Sequence, residues 1–350
     1  MWQTKGQKRI IDLLKRNIQQ QNMAHAYLVS GPPHVGKTTL SIELAQALNC
    51  EAANPPCGIC RSCRHIAERK HPDVIFVNLE LSAEMSRNPT TGDASPRTKI
   101  GIDCIKELQR LANLPAYEGR YRVFIFEEAD QLSNEASNRL LKILEEPPAK
   151  VIWLLISAEE FRLLPTIVSR CQQLKLKAMN IAELRDMLMA ENNIGIDKAG
   201  FLAKLSEGCP GWALSALTDS NIMEQRSKDM DMVVSLISAG IEQRFTYVRK
   251  IVVELSKDRQ TAKRVIDGAR SWWRDLMYVK CDCRDAVVNV DYQSMLEQQS
   301  EYLSLTEIKN YIKSLYSTEE QISQNVNTRL AFESLMISMP RKPALTGRGN

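Results

Sequence analysis

Residues 26–39 read AYLVSGPPHVGKTT. The first five form a short apolar run that is typical of a buried strand, and the stretch that follows the loop has the helical spacing of Leu40, Leu44 and Leu48. Between them, Gly31–Thr38 matches the G-x4-G-K-[ST] pattern of phosphate-binding loops. Glycines let backbone N–H groups approach a phosphate closely, and the start of the next helix favours an anion. We therefore predict that a nucleotide binds at this loop.

The loop and the first helical turn supply most of the predicted site. The predicted nucleotide-binding residues are Gly31, Pro32, Pro33, His34, Val35, Gly36, Lys37, Thr38 and Thr39. Lys37 is expected to reach the β- and γ-phosphates, and Thr38 to hold Mg²⁺. An ordinary glycine turn that caps a helix is the alternative, but the strand before the loop and the helix after it favour phosphate binding.

Four further apolar runs predict strands, and helical patterns separate most of them. The runs lie at 74–78, 122–126, 151–157 and 172–176. Alternation of buried strands with helices favours a parallel α/β sheet. Strand signals end near residue 178, and only helical patterns follow. We expect a nucleotide-binding core at 1–178 with a polar, mobile insertion at 80–99, a small helical lid at 179–222, a larger all-helical domain at 223–338 and a disordered tail at 339–350.

Composition sets limits on the function. The chain has 350 residues, of which 44% are hydrophobic and 25% are charged, as in ordinary globular proteins. Its 46 basic and 42 acidic residues leave a net charge of +4, which is too small to indicate nucleic-acid binding by itself. The sequence has no export signal or membrane span, so we expect a cytoplasmic protein. Its nine cysteines are then expected to be free thiols or metal ligands.

Polar residues at two strand ends extend the predicted nucleotide site. Glu127 and Glu128 follow the apolar run 122–126. Phosphoanhydride hydrolysis needs a held Mg²⁺ and a carboxylate that orients the attacking water, and this pair fits both tasks. We assign the metal side to Glu127 and the catalytic role to Glu128, with a solvated acidic strand end as the alternative. Ser157, at the end of another run, is placed where a polar side chain could sense the γ-phosphate.

Four cysteines have the spacing of a metal site. Cys50-x6-Cys57-x2-Cys60-x2-Cys63 forms a module at 50–63, directly after the phosphate-loop helix. Four thiolates satisfy a tetrahedral Zn²⁺ and leave no ligand position open to water, so the predicted site is structural. Redox-active cysteine pairs and an iron–sulfur cluster are the alternatives.

The motifs together resemble the bacterial clamp-loader family of AAA+ proteins, and the resemblance covers most of the chain. It rests on the cysteine module and on HAYLVSGPPHVGKTT (25–39), EEAD (127–130), NRLLKILEEPP (138–148), TIVSRC (166–171), SWWRDLM (271–277) and NVNTRLAFESL (325–335). The resemblance implies an AAA+ core that binds ATP and Mg²⁺, and a C-terminal collar at 223–338 that holds a hetero-oligomeric ring together. It also implies that Arg170, a solvated loop residue on spacing alone, is an arginine finger for a neighbouring subunit's ATP site. The partners would be motor and delta subunits, a sliding clamp and primed DNA.

Within that family the chain is more similar to the delta-prime type than to the gamma/tau motor. The stretch 102–108 and the segment 271–277 fit that type, as do the short stretch before the first helix and the end at residue 350. The usual AAA+ acidic pair is Asp-Glu, whereas Glu127 takes the first position. Gly211 lies where motor subunits carry a nucleotide-contacting arginine. Weak or absent hydrolysis is therefore expected. The other hypotheses are an active gamma/tau-like motor, a P-loop kinase or transferase, and a zinc-stabilised DNA-binding module.

Overall fold

A computed structural model describes residues 2–85, 99–158, 160–255, 259–323 and 326–341. The chain divides into two compact units, one of Met1–Asn193 with Gly208–Trp212 and the other of Ile194–Glu207 with Ala213–Asn350. Among the described residues, no helix combines the length and the apolar character that a membrane span requires. The predicted boundaries of lid and collar, at residues 178 and 222, stay a prediction.

The first unit contains a five-stranded sheet and most of the shorter helices. Its elements are α1 (Lys8–Gln19), β1 (Ala26–Ser30), α2 (Lys37–Asn49), α3 (Arg61–Ala67), β2 (Val74–Val77), α4 (Leu79–Met85), α5 (Ile102–Ala112), β3 (Arg122–Phe126), α6 (Asn134–Glu145), β4 (Val151–Ser157), α7 (Pro165–Val168), β5 (Gln172–Lys175) and α8 (Ile181–Asn192). All strands are parallel and stand in the order β2-β3-β4-β1-β5. All five predicted strands are therefore present.

Alternate residues of the central strands belong to two hydrophobic cores, one on each face of the sheet. In β3, Phe124 and Phe126 join the cluster formed with α5, α6 and α7, while Val123 and Ile125 join the cluster formed with α1, α2 and α3. Successive side chains of a strand point to opposite faces, so a strand covered by helices on both sides must be apolar throughout. This explains the continuous apolar runs of the central strands and confirms the predicted parallel α/β sheet.

The interval 80–99, where we predict a mobile insertion, begins inside α4. Leu79, Leu81 and Met85 of this helix pack partly buried against the cluster on the α5 side of the sheet. Leu81 and Met85 are four positions apart and therefore share one helical face. Residues 86–98 lie outside the described residues, so the mobility of the insertion stays a prediction. The same holds for most of the predicted tail, because the description ends at residue 341.

The second unit is helical in all its described residues apart from connecting turns. Its elements are α9 (Ile196–Leu205), the end of α10 (Pro210–Thr218), α11 (Ser220–Ser238), α12 (Ile241–Leu255), α13 (Arg259–Lys280), α14 (Gln293–Tyr302), α15 (Leu305–Ser323) and α16 (Thr328–Ser338). Trp272 and Trp273 of α13 are fully buried at its centre. The Trp273 ring lies against Tyr311 of α15 with 4.4 Å between ring centroids, and Trp272 donates its indole N–H to Gln299 at 2.9 Å. The segment 271–277 is thus a core segment.

Candidate nucleotide and metal sites

The phosphate loop connects β1 to α2 and depends on glycine at both ends. Gly31 has φ +144°, and a Cβ atom there would lie 2.4 Å from the Leu176 carbonyl oxygen. Gly36 caps α2 in the left-handed region with φ 100°. Such conformations and such close backbone contact favour glycine. The loop therefore has the conformation of a turn that leads directly into a helix N-terminus, as the sequence predicts.

Lys37 folds back over its own loop. Its Nζ donates hydrogen bonds to the carbonyl oxygens of Gly31 and Pro32, both at 2.7 Å, and 9% of the residue is exposed. A buried ammonium group needs such acceptors, because desolvation of the charge is costly. The contact holds the positive charge at the loop, where an incoming phosphate would meet it. Thr38 is half-buried, and Thr39 is exposed beside it.

Gly211 lies against the phosphate loop. Its N–H donates to the His34 carbonyl oxygen at 2.9 Å, and a Cβ atom at position 211 would lie 2.6 Å from the same oxygen. No larger residue fits unless one backbone moves away. The resemblance places the nucleotide-contacting arginine of motor subunits at this position. The close backbone contact gives a physical reason why this chain has glycine instead.

The carboxyl ends of the strands lie at one edge of the sheet, next to the loop. Ser157 ends β4 and is in register with Ser30, the last residue of β1, and it is 1% exposed. Glu127 and Glu128 follow β3, whose last residue is in register with Leu155 of β4. The structure therefore brings Ser157 next to the phosphate loop, and it places both glutamates at the same edge.

Glu127 forms an ion pair that the sequence does not predict. Arg69 Nη1 and Nη2 donate to its two carboxylate oxygens at 3.0 and 2.6 Å, and Asn78 Nδ2 lies 3.4 Å from one of them. The Glu127 side chain is 18% exposed. Both oxygens accept bonds from a cation, so in this arrangement the carboxylate does not fit the role of a Mg²⁺ ligand. The two residues are 58 positions apart, and no spacing rule indicates the contact.

The four cysteines of the module converge on one point. Their sulfur atoms all lie within 4.8 Å of one another, and Cys57 Sγ lies 3.9 Å from Cys63 Sγ. Tetrahedral Zn²⁺ with bonds of about 2.3 Å separates its sulfur ligands by about 3.8 Å. Backbone N–H groups point at three of the sulfurs: Cys57 N–H at Cys50, Cys60 N–H at Cys57, and Cys63 N–H at Cys60, at 3.3–3.4 Å. The donor set and its compactness fit a closed, tetrahedral metal site.

The thiols of this cluster differ in how readily they ionise. Burial raises the pKa of the Cys50 and Cys63 thiols. Hydrogen bonds from the backbone N–H groups of Cys60 and Ile59 lower the pKa of Cys57 to about 6. Buried thiolates need a positive charge nearby, and a divalent cation bound by all four sulfurs supplies it.

The cysteine module is joined to the core by side-chain hydrogen bonds. Gln46 Nε2 of α2 donates to the Cys63 carbonyl oxygen at 2.7 Å. Ser62 Oγ lies 3.1 Å from His71 Nε2, and His71 Nδ1 accepts from the Asp73 N–H at 3.1 Å. These contacts fix α3 and the turn after it relative to β2. The module is therefore an integral part of the first unit.

Arg170 follows α7 and is directed towards α6. Its Nη2 donates to Glu145 Oε1 at 2.6 Å, and Nη1 donates to the Thr166 carbonyl oxygen at 3.1 Å. The side chains of Arg170 and Glu145 are 35% and 49% exposed. An ion pair this exposed adds little to stability, so a partner that offers stronger acceptors can take the guanidinium. The two residues belong to two separate sequence motifs, NRLLKILEEPP (138–148) and TIVSRC (166–171).

The family model described as DNA polymerase III, delta subunit, matches residues 6–180, half of the chain. A second model, described as DNA polymerase III, delta subunit, C terminal, matches residues 250–340. The chain belongs to the DNA polymerase III delta-subunit family. The first match, at residues 6–180, contains the phosphate loop, the cysteine cluster and Arg170.

Relatives of this family member include both delta-prime and tau proteins. The chain is 25% identical to the delta-prime subunit of Bacillus subtilis over 338 residues, which cover 95% of this chain and 96% of that protein. It is 34% identical to the tau subunit of Escherichia coli over 257 residues, but these cover 68% of this chain and only 37% of tau. A solved gamma-subunit-related protein from Thermotoga maritima has a TM-score of 0.46 and 19% identity, and the match covers 95% of this chain and 99% of that chain.

Proposed function

We propose that the chain is a delta-prime-type subunit of a DNA polymerase III clamp loader. The observation that carries this proposal is the extent of the likeness. The match to the Bacillus subtilis delta-prime subunit runs over 95% of this chain, and both matching family models are described as delta-subunit models. Its partners would be the motor and delta subunits of a hetero-oligomeric ring, which places a sliding clamp on primed DNA in the cytoplasm.

Arg170 would be the residue that acts on a neighbour. A guanidinium group inserted into an ATP site stabilises the charge that develops on the transferred phosphoryl group, an effect worth about 10³–10⁵ in rate. Arg170 lies at the surface, in an exposed ion pair with Glu145 that can exchange for phosphate oxygens. The planar, two-pronged donor geometry of arginine suits both acceptors.

ATP and Zn²⁺ bound to this chain itself would stabilise the subunit and would not drive rapid hydrolysis. Residues Gly31–Thr39 would bind ATP, with Lys37 at the phosphates and Ser157 near the γ-phosphate. The four cysteines would hold a structural Zn²⁺. Glu128 would be the candidate catalytic carboxylate, but the pairing of Glu127 with Arg69 and the glycine at position 211 both argue against rapid turnover here.

Reconstitution tests this proposal directly. The motor and delta subunits of the source organism would be combined with or without this chain, and loading of a fluorescent clamp onto primed DNA would be measured. We expect loading only when the chain is present, and the chain alone should show negligible ATPase activity. Efficient loading without the chain would contradict the proposal. Rapid, DNA-stimulated turnover by the isolated chain would favour the second candidate, a gamma/tau-like motor, which the intact phosphate loop supports.

A further inference from the structure

Arg69 occupies a backbone position that normally favours glycine. Its φ is 60°, and it follows the last turn of α3. The Arg69 N–H donates to the Ile66 carbonyl oxygen at 3.1 Å, and the Lys70 N–H donates to that of His65 at 2.7 Å. This is the Schellman pattern, in which the left-handed residue is usually glycine because a Cβ atom adds strain of about 1 kcal/mol. The arginine side chain is therefore present despite a backbone cost.

The Arg69 side chain reaches across the sheet edge to Phe76 and Glu127. Its guanidinium lies over the Phe76 ring, 4.5 Å from the centroid, and makes the two parallel bonds to Glu127. The Phe76 ring and the Glu127 carboxylate together fix the plane of the Arg69 guanidinium group. The Arg69 side chain is still 45% exposed, so water could solvate its charge without the ion pair to Glu127. What the contact achieves is a defined position for the Glu127 carboxylate.

That position is on the far side of β3 from the phosphate loop. The carboxylate contacts Asn78, which directly follows β2, and β2 borders β3 on one side. The loop follows β1, which lies on the other side of β3 with β4 in between. Two strand spacings amount to about 10 Å. Because Arg69 and Asn78 both hold the carboxylate towards β2, it is turned away from the phosphate loop.

We infer that Arg69 is a positioning residue that keeps Glu127 out of the Mg²⁺ shell, so that this chain's own site binds nucleotide with little dependence on Mg²⁺. The inference rests on the proposed nucleotide binding at Gly31–Thr39. Mg²⁺ at such sites is held by one or two carboxylates together with substrate phosphates. A carboxylate neutralised by a guanidinium and turned towards β2 contributes neither charge nor a ligand. The Arg69 pair is thus a second reason, besides Gly211, for a site that binds nucleotide without rapid turnover.

The test is the effect of Mg²⁺ on nucleotide affinity. The full chain would be titrated with a fluorescent ATP analogue in Mg²⁺ and in EDTA. Arg69→Gly suits the left-handed backbone and removes only the side chain. For the wild type we expect dissociation constants within about threefold of each other in the two buffers, and for Arg69→Gly at least about tenfold tighter binding in Mg²⁺. Arg64→Ala, which removes another exposed positive charge from α3, should behave like the wild type.

A double variant separates positioning from a change in structure. Arg69→Gly combined with Glu127→Gln should lose the gained Mg²⁺ dependence, since the carboxylate of residue 127 is then absent. Equal Mg²⁺ dependence of nucleotide binding in Arg69→Gly and the wild type would overturn the inference. Increased Mg²⁺ dependence that persists in the double variant would overturn it as well. Failure of the wild type to bind the analogue in either buffer would instead refute the proposed nucleotide binding, and the inference with it.

Discussion

Replacement of Arg244 by methionine should destabilise the second unit more than any exposed substitution on the same helix. Arg244 lies in α12 and is fully buried, with 0% exposure. Burial lowers the pKa of its guanidinium. All five N–H donors are used, at distances from 2.8 to 3.2 Å, and their acceptors are the carbonyl oxygens of Leu236, Ile237, Met336, Met339 and Pro340. The guanidinium thus ties the end of α11 to the end of α16.

The magnitude follows from these bonds and from the buried charge. The last carbonyl groups of a helix lack partners within the helix, so the arginine satisfies groups that would otherwise be buried without a donor. Bonds from a charged donor contribute about 1.5 kcal/mol each, or about 7 kcal/mol for the set. Removal of the buried charge recovers about 3 kcal/mol of desolvation. We therefore expect Arg244→Met to lower the free energy of unfolding of this unit by about 4 kcal/mol.

Unfolding in urea measures this loss. With a urea dependence of about 2 kcal/mol per molar, the midpoint of the second unit should fall by about 2 M. Hydrogen–deuterium exchange of peptides from α13 and α15 assigns the transition to this unit. Arg249→Met on the exposed side of α12 is the matched control and should change stability by less than about 0.5 kcal/mol. A midpoint shift below about 0.5 M for Arg244→Met would refute the reasoning.

Two further predictions concern the first unit. Asp73 is fully buried, and burial by itself raises the pKa of its carboxyl group. Hydrogen bonds from the N–H groups of Tyr117, Gly119 and Glu118 and from Arg122 outweigh burial and hold the pKa below its ordinary value of 3.8. This contribution is present above the ordinary carboxyl pKa and is lost as pH falls through the folded-state pKa. Asp73→Asn should therefore lower the free energy of unfolding in urea by about 3 kcal/mol at pH 7 and by less near pH 2. An equal loss at both pH values would contradict the prediction. Cys63→Ser should abolish the binding of one zinc per chain and lower the melting temperature by about 5 °C or more. Metal analysis and calorimetry measure the two effects, and Cys281→Ser, at an exposed cysteine, should change neither. Full zinc content in Cys63→Ser would contradict a metal site at the cysteine cluster.

Apolar runs revealed the three central strands, β1, β3 and β4, because burial on both faces makes every residue of these strands buried. Helices on both sides require continuous apolar character in these central strands, whereas the edge strands β2 and β5 are partly exposed. The order of the strands does not follow from such runs, because each run is compatible with any neighbour. The short helix α4 was not expected either, since its three apolar residues stand at the start of a polar stretch.

Local motifs showed the candidate sites, whereas long-range pairings remained invisible. The cysteine cluster was predictable, because four ligands within 14 residues can surround one ion only through tight turns. The pairs Arg69–Glu127 and Arg170–Glu145 join residues 58 and 25 positions apart, and they depend on where the fold brings surface side chains together. The glycine at position 211 departs from the motor-subunit pattern in the sequence itself. Its physical cause, contact with the His34 carbonyl oxygen, needed the structure.

The most direct measurement is the ATPase rate of the complete clamp loader, rebuilt with motor and delta subunits, clamp and primed DNA. The comparison is between the wild-type chain and its Arg170→Ala, Lys37→Ala and Glu145→Ala forms. We predict that Arg170→Ala lowers the rate at least about tenfold, because the proposed arginine finger would stabilise charge in a neighbour's site. Lys37→Ala and Glu145→Ala should leave most of the rate intact. A collapse with Lys37→Ala together with a normal rate for Arg170→Ala would contradict the account and identify the chain as a motor.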